Sequence, residues 1–168
     1  LFHEINVGLT NDLCKLIYLN KKIKLIFASS KQANLNNAYG ISKRRAENIC
    51  KELGRINGNK ILILRLPGIF GMGCKPNYNS VVATFCFNIA NEIDIKIIDE
   101  KKYIELIYIN NLCSYFIELL NLEEFKQLKK LSGQKITILE LANLIKKFKL
   151  LIDNENTFIS KSLFENNL

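Results

Sequence analysis

Two side chains that lie four residues apart, Tyr39 and Lys43, are the first candidates for chemistry in this sequence. That spacing places both on one face of a helix, about one turn apart. A free tyrosine has a pKa of about 10 and is a poor acid at neutral pH, but a neighbouring ammonium favours the phenolate and lowers that pKa. Such a tyrosine can donate a proton to the oxygen of a substrate carbonyl, and a hydroxyl such as that of Ser30 can donate a hydrogen bond to the same oxygen. The three residue types therefore suit proton donation to a carbonyl.

The spacing alone leaves a second interpretation open, in which the tyrosine is a surface aromatic residue beside a solvated lysine. The neighbouring segments favour the catalytic interpretation. The apolar run 24–28 predicts a buried strand that ends near Ser30, and the run 60–66 predicts a parallel strand that ends at Pro67. Ligands of open α/β sheets bind beyond the carboxyl ends of the strands, which is where these residues are expected.

Helical periodicity predicts the elements around the two strands. A helix over residues 5–19 precedes the first strand, and a helix from about Tyr39 to Leu53, closed by Gly54 and Gly58, joins the two. The order is therefore α-β-α-β. A chain of 168 residues has room for one hydrophobic core of ordinary size.

The second half of the chain contains a further candidate site. Its pattern predicts a glycine-containing loop over 68–76, strands over 95–98 and 104–108, a capping box at Thr137–Glu140, and helices over 79–91, 110–122 and 139–148. Lys75 precedes the helix N-terminus at Asn79 and Ser80, and such an arrangement attracts anions such as a pyrophosphate. The alternative for Lys75 is an exposed loop charge.

Composition excludes several classes of function. The net charge of +8 is spread over small groups of lysine and arginine without interleaved aromatic residues, so we expect no nucleic-acid partner. No apolar stretch is long enough for a membrane span, and we expect a cytoplasmic protein with no membrane partner. The five cysteines lack metal-binding spacing and are expected to be reduced core residues, and one histidine cannot form a multi-histidine metal site.

Three segments together resemble a known family. Residues 27–30 (Phe-Ala-Ser-Ser), 39–43 (Tyr-Gly-Ile-Ser-Lys) and 65–71 (Arg-Leu-Pro-Gly-Ile-Phe-Gly) resemble the serine, Tyr-x-x-x-Lys and Arg-x-x-Asn-x-x-Gly elements of extended short-chain dehydrogenases, the NAD-dependent epimerase/dehydratase family. Residues 6–10 (Asn-Val-Gly-Leu-Thr) resemble its Asn-Val-x-Gly-Thr helix. Residues 74–86 are similar to the corresponding segment of its reductases of capsular polysaccharide biosynthesis.

The resemblance implies a fold and an activity. The fold is α/β, with a partial Rossmann-type parallel sheet flanked by helices and a small substrate-binding subdomain. Residues 1–150 would be the C-terminal part of the reductase domain, and 151–168 a linker or tail. The activity is reduction of the 4-keto group of a UDP-6-deoxy-amino sugar by NADPH, or NADH, on the route to UDP-N-acetyl-L-fucosamine. The alternatives are a 4-epimerase, a 4,6-dehydratase or a non-catalytic truncated remnant.

The resemblance also implies a role for each candidate residue. Tyr39 would donate the proton, Lys43 would hold the nicotinamide ribose and tune Tyr39, and Ser30 would polarise the ketone. The nicotinamide side of the cofactor would be lined by Pro67, Gly68 and Ile69. The sugar nucleotide would be bound by Lys75, Asn77, Asn79 and Ser80.

The sequence departs from the family at several points. Gly68 stands where the family usually has asparagine, and Asn110 and Asn111 replace two carboxylates. The glycine-rich dinucleotide loop and the C-terminal cupin domain of related reductases have no counterpart here, so we expect a fragment that by itself binds NADPH weakly and turns over little. The family's dimer helices match 5–19 and 40–54, which predicts a homodimer through the apolar residues Leu9, Leu13, Leu16, Ile17, Ile41, Ile49 and Leu53.

Overall fold

The structure, a computed structural model, describes residues 2–123, 128–154 and 162–168. The helices are α1 (Leu9–Tyr18), α2 (Ala38–Asn57), α3 (Val81–Ala90), α4 (Ile109–Leu120), α5 (Ile138–Asp153) and α6 (Leu163–Asn167). The strands are β1 (Leu25–Ser30), β2 (Ile61–Leu66), β3 (Gly68–Phe70), β4 (Tyr103–Tyr108), β5 (Leu128–Lys130) and β6 (Gln134–Thr137). A π-helical segment, His3–Gly8, runs into α1, and a 3-10 helix, Lys31–Asn34, follows β1.

The chain divides into two compact units, Leu1–Pro67 with Leu120–Leu131 and Gly68–Leu119 with Ser132–Leu168. The first unit contains a parallel sheet in the order β1-β2-β5. Every residue of β2 is buried, as the uniformly apolar run predicts for a central parallel strand. Helices α1 and α2 pack on this sheet through an apolar cluster of Cys14, Ile17, Cys50, Leu53, Ile61 and Ile63.

The register of the first two strands matters for the site. Residues Leu25 to Ser30 of β1 pair in parallel with Ile61 to Leu66 of β2, so Ser30 lies beside Leu66 at the carboxyl edge of the sheet. The predicted α-β-α-β order and the parallel sheet are confirmed.

Helix α2 is longer than the sequence predicts. Gly54 lies inside the helix, where a Cβ atom would be 2.9 Å from the Ile61 side chain, so this glycine permits close packing on β2 rather than ending the helix. The helix ends at Asn57, and Gly58 adopts the left-handed conformation (φ 78°) typical of a helix C-cap. The Asn57 and Asn59 amides then donate to the carbonyls of Tyr18 and Asn20.

The second unit contains a mixed sheet in the order β3-β4-β6, with β3 parallel and β6 antiparallel to β4. Its core is formed by Phe70, Val82, Phe85, Ile89, Leu106, Ile136, Leu141, Ala142 and Ile145. The capping box is confirmed, because the Thr137 hydroxyl accepts from the Glu140 N–H while the Glu140 carboxylate accepts from the Thr137 N–H.

Several boundaries differ from the sequence-based prediction. The predicted strand 95–98 is not a strand: Ile95 and Ile97 are half-buried against the core without joining a β-ladder. Three short strands, β3, β5 and β6, were not predicted, because three or four residues are too few to show a periodicity. Helix α5 extends to Asp153. The interpretation of 151–168 as a linker stays a prediction, but within it Phe164 packs against Phe70, with ring centroids 5.5 Å apart.

The described parts of the chain also bear on the composition argument. No helix in them is both long and apolar enough to cross a membrane. No cluster of three or more metal-ligating side chains occurs among residues 2–123, 128–154 and 162–168. All five cysteines are free thiols, but only Cys14 and Cys50 are fully buried, and Cys113 is exposed rather than part of the core.

Candidate active site

The start of α2 places Tyr39 close to the segment that follows β1. Asn37 caps the helix by accepting from the Gly40 N–H at 2.7 Å. Gly40 is buried against the 3-10 helix: a Cβ atom there would lie within 3.0 Å of the backbone carbonyl oxygens of Gln32 and Leu35. The glycine beside Tyr39 is therefore required for the first turn of α2 to approach the backbone beyond Ser30.

Lys43 lies one turn further along the same helix and reaches the sheet. Its Nζ donates to the Ala28 carbonyl of β1 at 3.4 Å, and it lies 5.6 Å from the centre of the Phe27 ring and 5.9 Å from that of Tyr39. Burial lowers the pKa of Lys43, and the negative charge of Glu47 opposes this shift. The lysine is therefore a partly desolvated cation beside the tyrosine, and not the solvated surface charge of the alternative interpretation.

The tyrosine is held from the N-terminal side of the chain. Tyr39 is half-buried, and the Phe2 ring packs edge-on against it with centroids 5.6 Å apart. The Ser42 hydroxyl donates to the Tyr39 carbonyl at 2.7 Å and accepts from the Asn6 amide at 3.0 Å. The π-helical segment that contains Asn6 is thus tied to the first turn of α2.

Ser30 ends β1 and caps the 3-10 helix. Its Oγ accepts from the Gln32 N–H at 3.2 Å. Since a hydroxyl can donate one hydrogen bond while it accepts others, this contact leaves the Ser30 proton able to donate to a carbonyl oxygen. Ser30 therefore lies at the carboxyl edge of the strand whose Ala28 carbonyl contacts Lys43.

A buried ion pair lies directly below these residues. The Glu47 carboxylate is fully buried and accepts two hydrogen bonds from the Arg65 guanidinium, at 2.7 and 2.6 Å. Glu47 also accepts from the Ser29 hydroxyl at 2.6 Å, and Arg65 donates to the Asn34 side chain at 2.6 Å. Burial raises the pKa of Glu47, but the bonds from Arg65 and Ser29 outweigh it and hold the pKa below the usual value.

Sequence reasoning missed this network, although it contained a signal. Arg65 interrupts an otherwise apolar strand, and a cation in a fully buried strand requires a carboxylate partner. Glu47 lies four residues after Lys43, on the helix stripe that also contains the buried Ala46 and Cys50. A carboxylate on the buried stripe of the adjacent helix was the natural partner.

The predicted substrate residues lie in the second unit. Ser80 caps α3 by accepting from the Ala83 N–H at 3.2 Å, as expected for a helix N-terminus at 79–80. Asn77 and Asn79 both have positive φ angles, 56° and 58°, which asparagine tolerates better than most residues. Lys75 is exposed on the preceding loop. These residues therefore lie on one loop and at the helix N-terminus that follows it, within the second unit.

The predicted cofactor residues divide between the units. Tyr39, Lys43 and Pro67 belong to the first, and Pro67 directly follows β2. Gly68 and Ile69 form the first two positions of β3 in the second unit and are exposed there. In the first unit, a cation, a phenol and a free hydroxyl donor at one sheet edge fit the ribose hydroxyls and reacting carbonyl of a nicotinamide-dependent reaction.

Comparison with known proteins decides the family. Residues 1–132 match the NAD dependent epimerase/dehydratase family. The chain belongs to this family. Over 147 residues it is 38% identical to the UDP-2-acetamido-2,6-beta-L-arabino-hexul-4-ose reductase of Pseudomonas aeruginosa, covering 86% of this chain and 40% of the relative.

Solved structures of the family share the fold. The capsular polysaccharide assembling protein CapF of Staphylococcus aureus superposes with a TM-score of 0.82 at 30% identity, covering 94% of this chain and 44% of that protein. A UDP-glucuronic acid 4-epimerase of Bacillus cereus, solved with NAD, superposes with a TM-score of 0.78 at 17% identity over 86% of this chain and 52% of that protein. The family member thus spans about 40% of the length of the curated relative. The predicted partial Rossmann-type fold is confirmed.

Proposed function

We propose that this family member serves the NAD(P)H-dependent reduction of the 4-keto group of a UDP-6-deoxy-amino sugar, in nucleotide-sugar biosynthesis for a surface polysaccharide. The observation that carries the proposal is the partly desolvated Lys43 beside Tyr39, at the sheet edge where Ser30 ends β1. The 38% identical relative, named as a reductase of a UDP-hexul-4-ose, supports the substrate class.

Each of the three residues has a separate task in this reaction. A nicotinamide cofactor supplies the hydride that the ketone carbon accepts. Tyr39 donates its phenolic proton to the ketone oxygen, and Ser30 donates a hydrogen bond to the same oxygen and so polarises the carbonyl. Lys43 binds the ribose hydroxyls, and its positive charge stabilises the phenolate that remains after proton transfer.

The remaining assignments are part of the same proposal. Pro67, Gly68 and Ile69 contact the nicotinamide. The loop and helix terminus formed by Lys75, Asn77, Asn79 and Ser80 bind the diphosphate of the UDP-sugar, because a cation and helix N–H groups both favour negative charge. The cofactor is NADPH or NADH. The site of action is the cytoplasm, a location supported by the five free thiols.

We propose further that the chain forms a homodimer through α1 and α2. Leu9, Leu13 and Leu16 are exposed on α1, and a groove of about 710 Å³ between the two helices is lined in part by the half-buried Ile49 and the exposed Ile56. Of the apolar residues expected at this surface, Ile17 and Leu53 instead belong to the core of the unit. A second copy that packs α1 and α2 against these helices would cover the exposed leucines.

The decisive experiment measures hydride transfer. The 168-residue chain is assayed alone, and also as a chimera in which it replaces the matching segment of the Pseudomonas aeruginosa reductase. With NADPH and a UDP-4-keto-6-deoxy-amino sugar, we expect the chimera to oxidise NADPH, as seen by the loss of absorbance at the nicotinamide band. The unmodified relative is the positive control.

Two results would contradict the reductase assignment. One is a folded chimera that leaves the keto sugar unreduced while the parent enzyme reduces it. The other is a chimera that interconverts 4-hydroxyl epimers without net oxidation of NADPH, which would identify an epimerase.

A further inference from the structure

The buried Glu47–Arg65 pair connects the elements of the first unit that carry Tyr39, Lys43 and Ser30. Glu47 lies on α2, one helical turn beyond Lys43, and Arg65 lies on β2, two residues before Pro67. Their remaining partners are Ser29, which directly precedes Ser30, and Asn34, at the end of the 3-10 helix that Ser30 caps. Four hydrogen bonds of 2.6–2.7 Å therefore join α2, β1, β2 and the 3-10 helix at one point.

Such a pair is not required for a stable core. Apolar residues of similar volume often replace a buried ion pair without loss of stability, because the charges lose their hydration on burial. What apolar residues do not provide is geometric specificity, since a two-pronged Arg–carboxylate contact admits few relative positions of its partners. This pair has that geometry, with both Glu47 oxygens bonded to the Arg65 guanidinium.

The pair also determines the charge near Lys43. Glu47 is the carboxylate one helical turn from Lys43, and its charge raises the pKa of Lys43 against the effect of burial. Strand β1 faces Lys43 with uncharged groups, the Phe27 ring and the Ala28 carbonyl. The other charged neighbours of Glu47 are Arg65 and, on α2, Lys51, and the nearby 3-10 helix begins with Lys31.

We propose that the Glu47–Arg65 pair is a positioning element of the active site. It holds the helix that carries Tyr39 and Lys43 in register with the strand that ends at Ser30, and it places one negative charge a helical turn from Lys43. The catalytic consequence rests on the function proposed above. The effect on Lys43 itself does not.

The test separates positioning from stability by replacing the network with apolar residues. The triple variant E47L/R65M/S29A removes both charges together with the Ser29 hydroxyl, which would otherwise lose its partner. In the 168-residue chain labelled with ¹³C at the lysine ε carbons, the Lys43 signal is assigned by its loss in Lys43→Arg and titrated by NMR. We expect the triple variant to fold with a Tm near that of the parent and to show a lowered Lys43 pKa, because the compensating carboxylate is gone.

The matching kinetic measurement uses the active chimera. There we expect kcat to fall by about 10- to 100-fold, because a small displacement of catalytic groups slows the chemical step. KM should change by less than about twofold. Asp153→Asn, which removes an exposed partner of Lys149 on α5, is the control and should leave the Lys43 pKa and kcat unchanged.

A folded triple variant with the parental Lys43 pKa and kcat would overturn the proposal, because the pair would then only fill the core. If the triple variant does not fold, Glu47→Gln replaces it, since the amide keeps the size of the side chain and removes its charge. A parental Lys43 pKa in folded Glu47→Gln would equally overturn the proposal. If the chimera with the parental sequence is inactive, the proposed function fails, but the Lys43 titration still decides this inference.

Discussion

At the scale of single residues, the environment of Lys43 supports the proposed catalytic pair over a chance spacing. A tyrosine and a lysine four residues apart occur on many helices, where both side chains are hydrated. Here the ammonium contacts the Ala28 carbonyl and lies over the Phe27 and Tyr39 rings, and burial lowers its pKa. A cation held in this way stabilises a neighbouring phenolate more strongly than a fully hydrated lysine would, because water screens the interaction between the two charges less.

The roles of Tyr39 and Lys43 predict different kinetic losses. In the active chimera, Tyr39→Phe should lower kcat by about 10²-fold or more, because a general acid contributes 10²–10⁴-fold, while NADPH affinity stays unchanged. Lys43→Ala should lower kcat and also weaken NADPH binding. Steady-state kinetics and fluorescence titration with NADPH measure the two quantities.

The matched control is Tyr103→Phe, which removes the hydroxyl of an exposed tyrosine on β4 of the other unit and should change neither quantity. Wild-type turnover in Tyr39→Phe would show that Tyr39 is not the proton donor.

At the scale of elements, the approach of α2 to the 3-10 helix determines where Tyr39 lies. Asn37 caps α2 at the point where Gly40 packs against the carbonyls of Gln32 and Leu35. The same helix is tied to the N-terminal π-helical segment through Asn6 and Ser42, and to β1 and β2 through Glu47. The position of the tyrosine is therefore fixed by contacts on three sides of one helix.

The close approach at Gly40 predicts that Gly40→Ala destabilises the chain. The added methyl group would collide with backbone oxygens, which cannot rotate away, so α2 must shift at a cost of about 1–3 kcal/mol. Urea denaturation followed by circular dichroism measures the change. Gly8→Ala is the control: a Cβ at Gly8 meets no atom within 4 Å, so alanine should be neutral or slightly stabilising. Equal stability of the two variants would show that α2 does not pack closely against the carbonyl oxygens of Gln32 and Leu35 at Gly40.

At the scale of the whole molecule, the proposed association depends on the outer surface of α1. Leu9 and Leu16 are about two thirds exposed, and Leu13 lies between them on the same helix. Contiguous apolar surface of this kind on a small chain is typical of an interface. The proposed dimer would bury these residues and leave the sheet edge that carries Ser30 outside the contact helices.

The dimer proposal predicts that one charge on α1 changes the oligomeric state. The parent chain should elute at twice the chain mass in size-exclusion chromatography with light scattering at micromolar concentration. Leu16→Glu should shift it to the monomer, because a charge opposite its own symmetry mate opposes an isologous contact. Leu150→Glu, an equally exposed leucine on α5, should leave the dimer intact. A folded, monomeric parent would contradict the proposal.

Local patterns in the sequence were enough to predict the helix that carries Tyr39 and Lys43, the two long parallel strands, the capping box at Thr137 and the family. These features depend on residues within one or two turns of each other, or on the burial of a continuous apolar run, so their signal is contained in short segments. The Tyr39–Lys43 spacing belongs to this class.

Only the tertiary structure decided which distant residues contact each other around the candidate site. Glu47 meets Arg65 across 18 positions and Asn34 meets Arg65 across 31, and no periodicity encodes such contacts. The short strands β3 and β5 form because neighbouring strands offer backbone partners, whereas the apolar segment 95–98 finds none and stays irregular. Gly54 stays inside α2 because β2 packs closely against it, although its type suggests a helix end. Long-range packing, which a linear pattern does not specify, therefore places the ion pair beneath the candidate site.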